Sequence, residues 1–77
     1  MFIGVDELYL DERSKTYEKR ALGLNVNEIC EFSNRYHVET ERTVLWVVMK
    51  NGRHHILSEP FNYILGAVNR HCEVKNE

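Results

Sequence analysis

The segment Thr43 to Met49 constrains the fold most, because it is apolar on both of its alternating faces. Its β-branched residues favour a strand, and a sheet covered by one helix buries only one face of such a strand. We therefore predict one of two arrangements. Either a strongly curled sheet covers the second face within the chain, or a second copy or a target protein binds around Trp46, Val44 and Val48.

The length of 77 residues allows one hydrophobic core, so we predict a single domain over residues 1–77. Small cores often gain support from disulfides, a metal or a second subunit. Cys30 and Cys72 lack the dense spacing of a secreted disulfide scaffold and are interpreted as free thiols in a reducing compartment.

The N-terminus has no basic start typical of a signal peptide, and no apolar run could span a bilayer. A soluble, cytoplasmic protein is expected.

The N-terminal third predicts a β-hairpin. Strand-like residues from Phe2 to Leu10 and from Lys15 to Leu24 flank a polar, turn-compatible segment. The apolar residues change parity within the first strand, which predicts a β-bulge near Asp6 and Glu7.

A second hairpin is predicted in the middle of the chain. A third strand starts at Ile29 and can continue towards His37, and the polar segment from Ser33 to Glu41 is expected to be an exposed excursion. Asn51-Gly52 then predicts a type I′ turn that returns the strong central strand into His54 to Leu57.

The C-terminal segment predicts one amphipathic helix. Ser58 is expected to cap it, Pro60 to lie in its first turn, and the helix to run to about Cys72. The apolar stripe expected to face the sheet consists of Phe61, Ile64, Leu65, Val68 and Cys72. Residues 73–77 are expected to fray. The predicted fold class is α+β, a curled antiparallel sheet of about five strands with this helix packed on it.

Residues that could carry chemistry form no convergent pattern. The acidic pairs flank turns or polar segments, as solvated acids do. His71 and Cys72 are adjacent in sequence but point to different sides of a helix, and the histidines and cysteines lack metal-ligand spacing. The glycines are isolated, so no phosphate loop is indicated. We predict no enzyme activity and no catalytic, cofactor or metal site.

The charge distribution leaves nucleic acid as an alternative ligand. The net charge is −2 and the pI near 6.1, which gives no global attraction to a phosphate backbone. One local basic cluster surrounds the Asn-Gly turn and consists of Lys50, Arg53, His54 and His55. It could contact phosphates, or it could be an ordinary charged hairpin tip.

The order of these segments resembles the FlbD-like small proteins, which include flagellar or swarming-motility proteins and phage-encoded relatives. The resemblance covers Ala21 to Asn69 and lies in LNVNEI at residues 24–29, the apolar strand, Asn51-Gly52, and Ser58-Glu59 before a short helix. It implies a non-enzymatic bacterial or phage accessory protein that acts through protein contacts. This chain departs from that pattern by a longer N-terminal hairpin and by the segment Ser33 to Glu41.

These observations together predict a small interaction module that binds and modulates a host protein, with a homodimer as a further alternative. The rival prediction is a nucleic-acid-binding regulator that uses the basic cluster. No membrane association is expected.

Overall fold

A computed structural model describes the backbone of residues 1–75 and the side chains of residues 1–71. Five strands and one helix make up the fold, which confirms the predicted α+β class. The strands are β1 (Phe2–Asp11), β2 (Thr16–Asn25), β3 (Ile29–His37), β4 (Arg42–Met49) and β5 (His54–Leu57), a 3₁₀ turn covers Val26–Glu28, and the helix α1 is Phe61–Lys75. No helix within residues 1–75 is long and apolar enough to cross a membrane.

The sheet is antiparallel, with the strand order β2-β1-β5-β4-β3. Two long hairpins, β1–β2 and β3–β4, therefore flank the short strand β5. The ladder between β1 and β5 contains a single residue pair, Glu7 opposite Leu57. The two hairpins are thus joined through a narrow seam, whereas β1 pairs with β2 along its whole length and β3 pairs with β4 at every residue but Cys30.

The helix covers one face of the sheet and forms the main core with it. Leu45, Leu57 and Ile64 are fully buried there. Ala67 is also buried, while Leu65 is 38% exposed, so the predicted apolar stripe is wrong at Leu65. The helix also extends through Lys75, beyond the predicted end, so residues 73–75 continue it. The side chain of Cys72 and residues 76–77 lie outside the described part.

The opposite face of the sheet is covered partly by the curl of the sheet itself. Leu8 and Val44 lie on this face and are only 7% and 4% exposed. Tyr17 of β2 meets His37 of β3 edge-on, with ring centroids 4.7 Å apart, although β2 and β3 are the two edges of the sheet. The sheet therefore curls until its edges touch, as one of the two predicted arrangements required.

The predicted bulge near Asp6 and Glu7 is wrong. β1 pairs with β2 without interruption from Phe2 opposite Asn25 to Asp11 opposite Thr16. The parity of the apolar residues changes because Val5 packs in the helix-covered core and Leu8 packs on the curled face. A register shift occurs instead in β3, between Ile29 and Glu31.

Two further expectations for the central hairpins are corrected. Ser33 to His37 belong to β3, so the exposed excursion shrinks to a loop at residues 38–41; polar residues are tolerated in this strand because it is an edge. In the turn between β4 and β5 only Gly52 has a positive φ, of 89°, and Met49 N–H donates to Arg53 C=O over 2.7 Å. The connection is a three-residue loop with glycine at its left-handed position, and not a type I′ turn.

Ser58 does not cap the helix as predicted. Its N–H donates to the Asp6 carbonyl oxygen over 3.0 Å, and its hydroxyl lies 3.5 Å from the same oxygen. Ser58 thus extends the pairing of β5 with β1. The helix begins three residues later at Phe61, where Tyr63 N–H donates to Pro60 C=O over 3.1 Å.

Candidate interaction surface

Trp46 lies on the sheet face that the helix leaves uncovered. The pairing of β4 places it between Ser33 of β3 and Ile56 of β5. The His54 ring stacks on the indole with centroids 4.5 Å apart and planes 12° from parallel, and the Arg35 guanidinium lies 5.0 Å from the indole centroid. Contacts from both neighbouring strands therefore hold the ring, while Trp46 remains half-buried.

The three residues predicted to bind a partner share this face but differ in exposure. Val44 is buried by the curl of the sheet, so it belongs to the interior. Trp46 and Val48 are half-buried and border solvent. We use the term Trp46 surface for the accessible apolar residues of this face together with the two polar side chains that contact the indole, namely Trp46, Val48, Ile56, Arg35 and His54.

The predicted basic cluster does not form one patch. Lys50 and Arg53 are exposed at the turn between β4 and β5, and His54 extends onto the Trp46 surface. His55 points to the other face, where its Nδ1–H donates to Glu7 Oε2 over 2.5 Å. Alternation along β5 separates the two histidines, as expected for neighbours in a strand.

Glu7 is the buried charged residue among the described side chains and was not predicted as a site. It is 7% exposed, and Arg20 Nε–H donates to Glu7 Oε1 over 2.8 Å. Burial raises the pKa of the Glu7 carboxyl, but hydrogen bonds from His55 and Arg20 and their positive charges outweigh it, so the pKa is lowered from 4.5. The carboxylate is therefore ionised at neutral pH, and each of its oxygens has a partner.

The sequence carried no signal that separated Glu7 from the other acids. Its partners come from β2 and β5, and His55 is 48 residues away along the chain. The Arg20 guanidinium also lies 4.8 Å from the centre of the Tyr9 ring. This arrangement, with no nucleophile among its named members, is that of a structural ion pair that holds three strands together.

Metal binding has no donor cluster within the described side chains, where no group of three or more His, Cys, Asp or Glu residues could hold an ion. Cys30 is an exposed free thiol in β3.

Comparisons with protein-family models, with curated proteins and with solved structures found no match to the chain.

Proposed function

We propose that the protein is a non-enzymatic interaction module that binds and modulates a target protein through the Trp46 surface. The observation that carries the proposal is the stacking of His54 on the half-buried indole of Trp46, on a face without a covering helix. Tryptophan is among the residues that contribute most to protein interfaces. A ring already held in place loses little side-chain entropy when a partner binds.

The charges beside the Trp46 surface favour an acidic partner surface. Arg35 and His54 flank the indole, and Lys50 and Arg53 lie at the adjoining turn. The positive charges of Arg35, Lys50 and Arg53 outnumber the negative charge of Glu31 on the same face, although the whole chain has a net charge of −2. Charge complementarity of this kind speeds association and orients the partner.

The biological setting that we propose is that of a bacterial or phage accessory regulator in the cytoplasm. The resemblance to FlbD-like proteins supports an accessory role through protein contacts. The exposed free thiol of Cys30 is in keeping with a reducing compartment.

A single-stranded nucleic acid is the second candidate ligand. An aromatic ring flanked by an arginine and a histidine, with Lys50 and Arg53 nearby, is a combination on which bases can stack. A base that stacked on the covered side of the indole would have to displace His54. Because His55 contacts Glu7, this member of the predicted basic cluster is not available to a phosphate group.

Site-specific photo-crosslinking tests the proposal in cells. Benzoylphenylalanine at Lys50, beside the Trp46 surface, should capture one defined protein, and the same group at exposed Leu65 on the helix should not. Trp46→Phe and His54→Ala should weaken the capture while circular dichroism shows a folded chain. Equal capture from Leu65, or capture unchanged by both substitutions, would contradict the proposal. Capture of nucleic acid that falls steeply with salt would favour the second candidate.

A further inference from the structure

The outer edge of β3 is a nine-residue strand at one end of the sheet. Such an edge presents unpaired backbone N–H and C=O groups to any strand that approaches it. Tyr36 beside this edge is 64% exposed. The edge therefore offers a place for strand addition, and its side chains determine which strand fits.

The charges of β3 are arranged so that the strand complements itself. Glu31 and Arg35 lie two residues on either side of Ser33, and all three side chains share the face that carries Trp46. An antiparallel pair of β3 strands centred on Ser33 places Glu31 of each copy opposite Arg35 of the other. Opposite charges facing each other across a ladder stabilise it.

We propose that two copies of this chain form a dimer by antiparallel pairing of their β3 edges, centred on Ser33, with two reciprocal Glu31–Arg35 ion pairs. The two-fold axis lies perpendicular to the sheet, and both helices remain on one side of a continuous ten-stranded sheet. A self-complementary contact of this kind is the usual form of a closed homodimer.

The register follows from the positions of the charges and of the bulge. Centring the pair on Glu31 or on Arg35 would place like charges opposite each other, which destabilises a ladder. Centring it on Ser33 pairs the segment from Glu31 to Arg35, which lies between the irregularity at Cys30 and the contact of His37 with Tyr17 of β2. Glu31 has no ion pair within the described part of the chain, so its carboxylate is available.

The opposite edge of the sheet is less suited to self-pairing. β2 carries charges at three successive positions, Glu18, Lys19 and Arg20, which lie on both faces. A two-fold pair centred on any of them would bring identical charges together. Charged side chains at these positions are a common protection of an edge against strand addition.

The dimer also brings the two Trp46 surfaces close together. In each copy Trp46 lies directly opposite Ser33 on the neighbouring strand. Three strand spacings of about 4.8 Å then separate the two indoles across the two-fold axis. The inference shares Arg35 with the proposed function but does not depend on the stacking of His54 on Trp46, so a monomer could still bind a target, and a dimer could still lack one.

Charge reversal with a mixing step tests this dimer by sedimentation velocity. The wild-type chain should sediment as a dimer at millimolar concentration. Glu31→Arg alone and Arg35→Glu alone each replace two attractive contacts by two repulsive ones and should weaken dimerisation at least about tenfold. An equimolar mixture of these two variants should form a heterodimer, because its cross-strand contacts are again of opposite charge.

Controls separate this contact from other effects of charge. Lys19→Glu makes the same charge change as Arg35→Glu but lies in β2, so it should leave the dimer unchanged. Circular dichroism should show each variant folded, which matters for Arg35 because it also contacts Trp46. A wild-type monomer at millimolar concentration, a dimer insensitive to both reversals, or a mixture without heterodimer in native mass spectrometry would each overturn the proposal.

Discussion

His55 donates a hydrogen bond to the Glu7 carboxylate across the seam where β5 meets β1, over 2.5 Å from Nδ1 to Oε2. The backbone ladder between these strands contains one residue pair, and Arg20 of β2 donates to the other carboxylate oxygen. The side chain of Glu7 thus joins the N-terminal hairpin to the strand that leads into the helix. Removal of either partner should lower the free energy of unfolding markedly, because a buried charge without partners is unfavourable.

We expect Glu7→Gln to lower the free energy of unfolding at pH 7 by about 1.5–3 kcal/mol, the range for hydrogen bonds to charged groups. The pKa of Glu7 is lower in the folded chain than its ordinary 4.5. The stabilisation is therefore complete above pH 4.5 and is lost as the pH falls through the folded value. Urea unfolding across this pH range measures the effect.

The exposed Glu12→Gln is the matched control for Glu7, since its carboxylate lies in a solvated turn. It should change the free energy of unfolding little at any pH. An equal acid dependence in wild type and Glu7→Gln would contradict the role given to Glu7.

Ile64 and Leu65 are neighbours on the helix with opposite environments, since Ile64 is fully buried and Leu65 is 38% exposed. Ile64→Ala should lower the free energy of unfolding by about 2–5 kcal/mol, because it removes buried apolar groups from the core and leaves a cavity. Leu65→Ala should change it by about 0.5 kcal/mol or less. Ile64→Val gives an intermediate loss if the alanine variant does not fold. Chemical denaturation decides, and similar losses at both positions would mean that the helix is rotated.

The two four-residue hairpin loops each end on a non-glycine residue in the left-handed region, Lys15 at φ 60° and Glu41 at φ 54°. An L-residue pays about 1–2 kcal/mol for this conformation, whereas glycine adopts it freely. We expect Lys15→Gly and Glu41→Gly each to raise the melting temperature by a few degrees. Arg13→Gly, in the first loop but without a positive φ, should lower it.

Much of the fold could be predicted because its signals are local. Turn residues between strand-like runs indicate the β1–β2 and β4–β5 hairpins, and three- and four-residue apolar spacing indicates the helix. The apolar central strand also indicated that both faces needed cover. The bulge at Cys30 also has a sequence signal, because Ile29 and Phe32 are apolar residues three apart in a strand, and both pack against the core.

The remaining features depend on contacts between distant segments. Val44 and Trp46 point to the same face of β4. Val44 is buried and Trp46 is accessible because the sheet edges meet near Tyr17 and His37. Glu7 differs from the other acids only through the pairing of β1 with β5. Pattern and spacing do not encode such long-range contacts, so neither the burial of Val44 nor the ion pair of Glu7 on the opposite face could be predicted.

Glu59, next to Ser58, protects the edge of β1 where β5 ends. Its Oε1 accepts a hydrogen bond from Asp6 N–H over 2.7 Å. We expect Glu59→Ala to speed hydrogen exchange of the Asp6 amide, because this donor loses its acceptor. Ser58→Ala should leave helix stability nearly unchanged, since Ser58 does not cap the helix. Amide exchange by NMR tests both, and a large loss of helix protection in Ser58→Ala would restore the capping role.

His54 and His55 form a matched pair for testing the environment of Trp46, since they are adjacent in sequence and point to opposite faces. His54→Ala removes the ring that stacks on the indole. The fluorescence emission of Trp46 should therefore shift to longer wavelength, and acrylamide should quench it more strongly. His55→Ala should leave the emission unchanged at neutral pH while it lowers the free energy of unfolding through Glu7. Trp46 is the one tryptophan of the chain, so the emission reports this site directly. An equal shift in both variants would mean that loosening of the fold, and not loss of the stack, exposes Trp46.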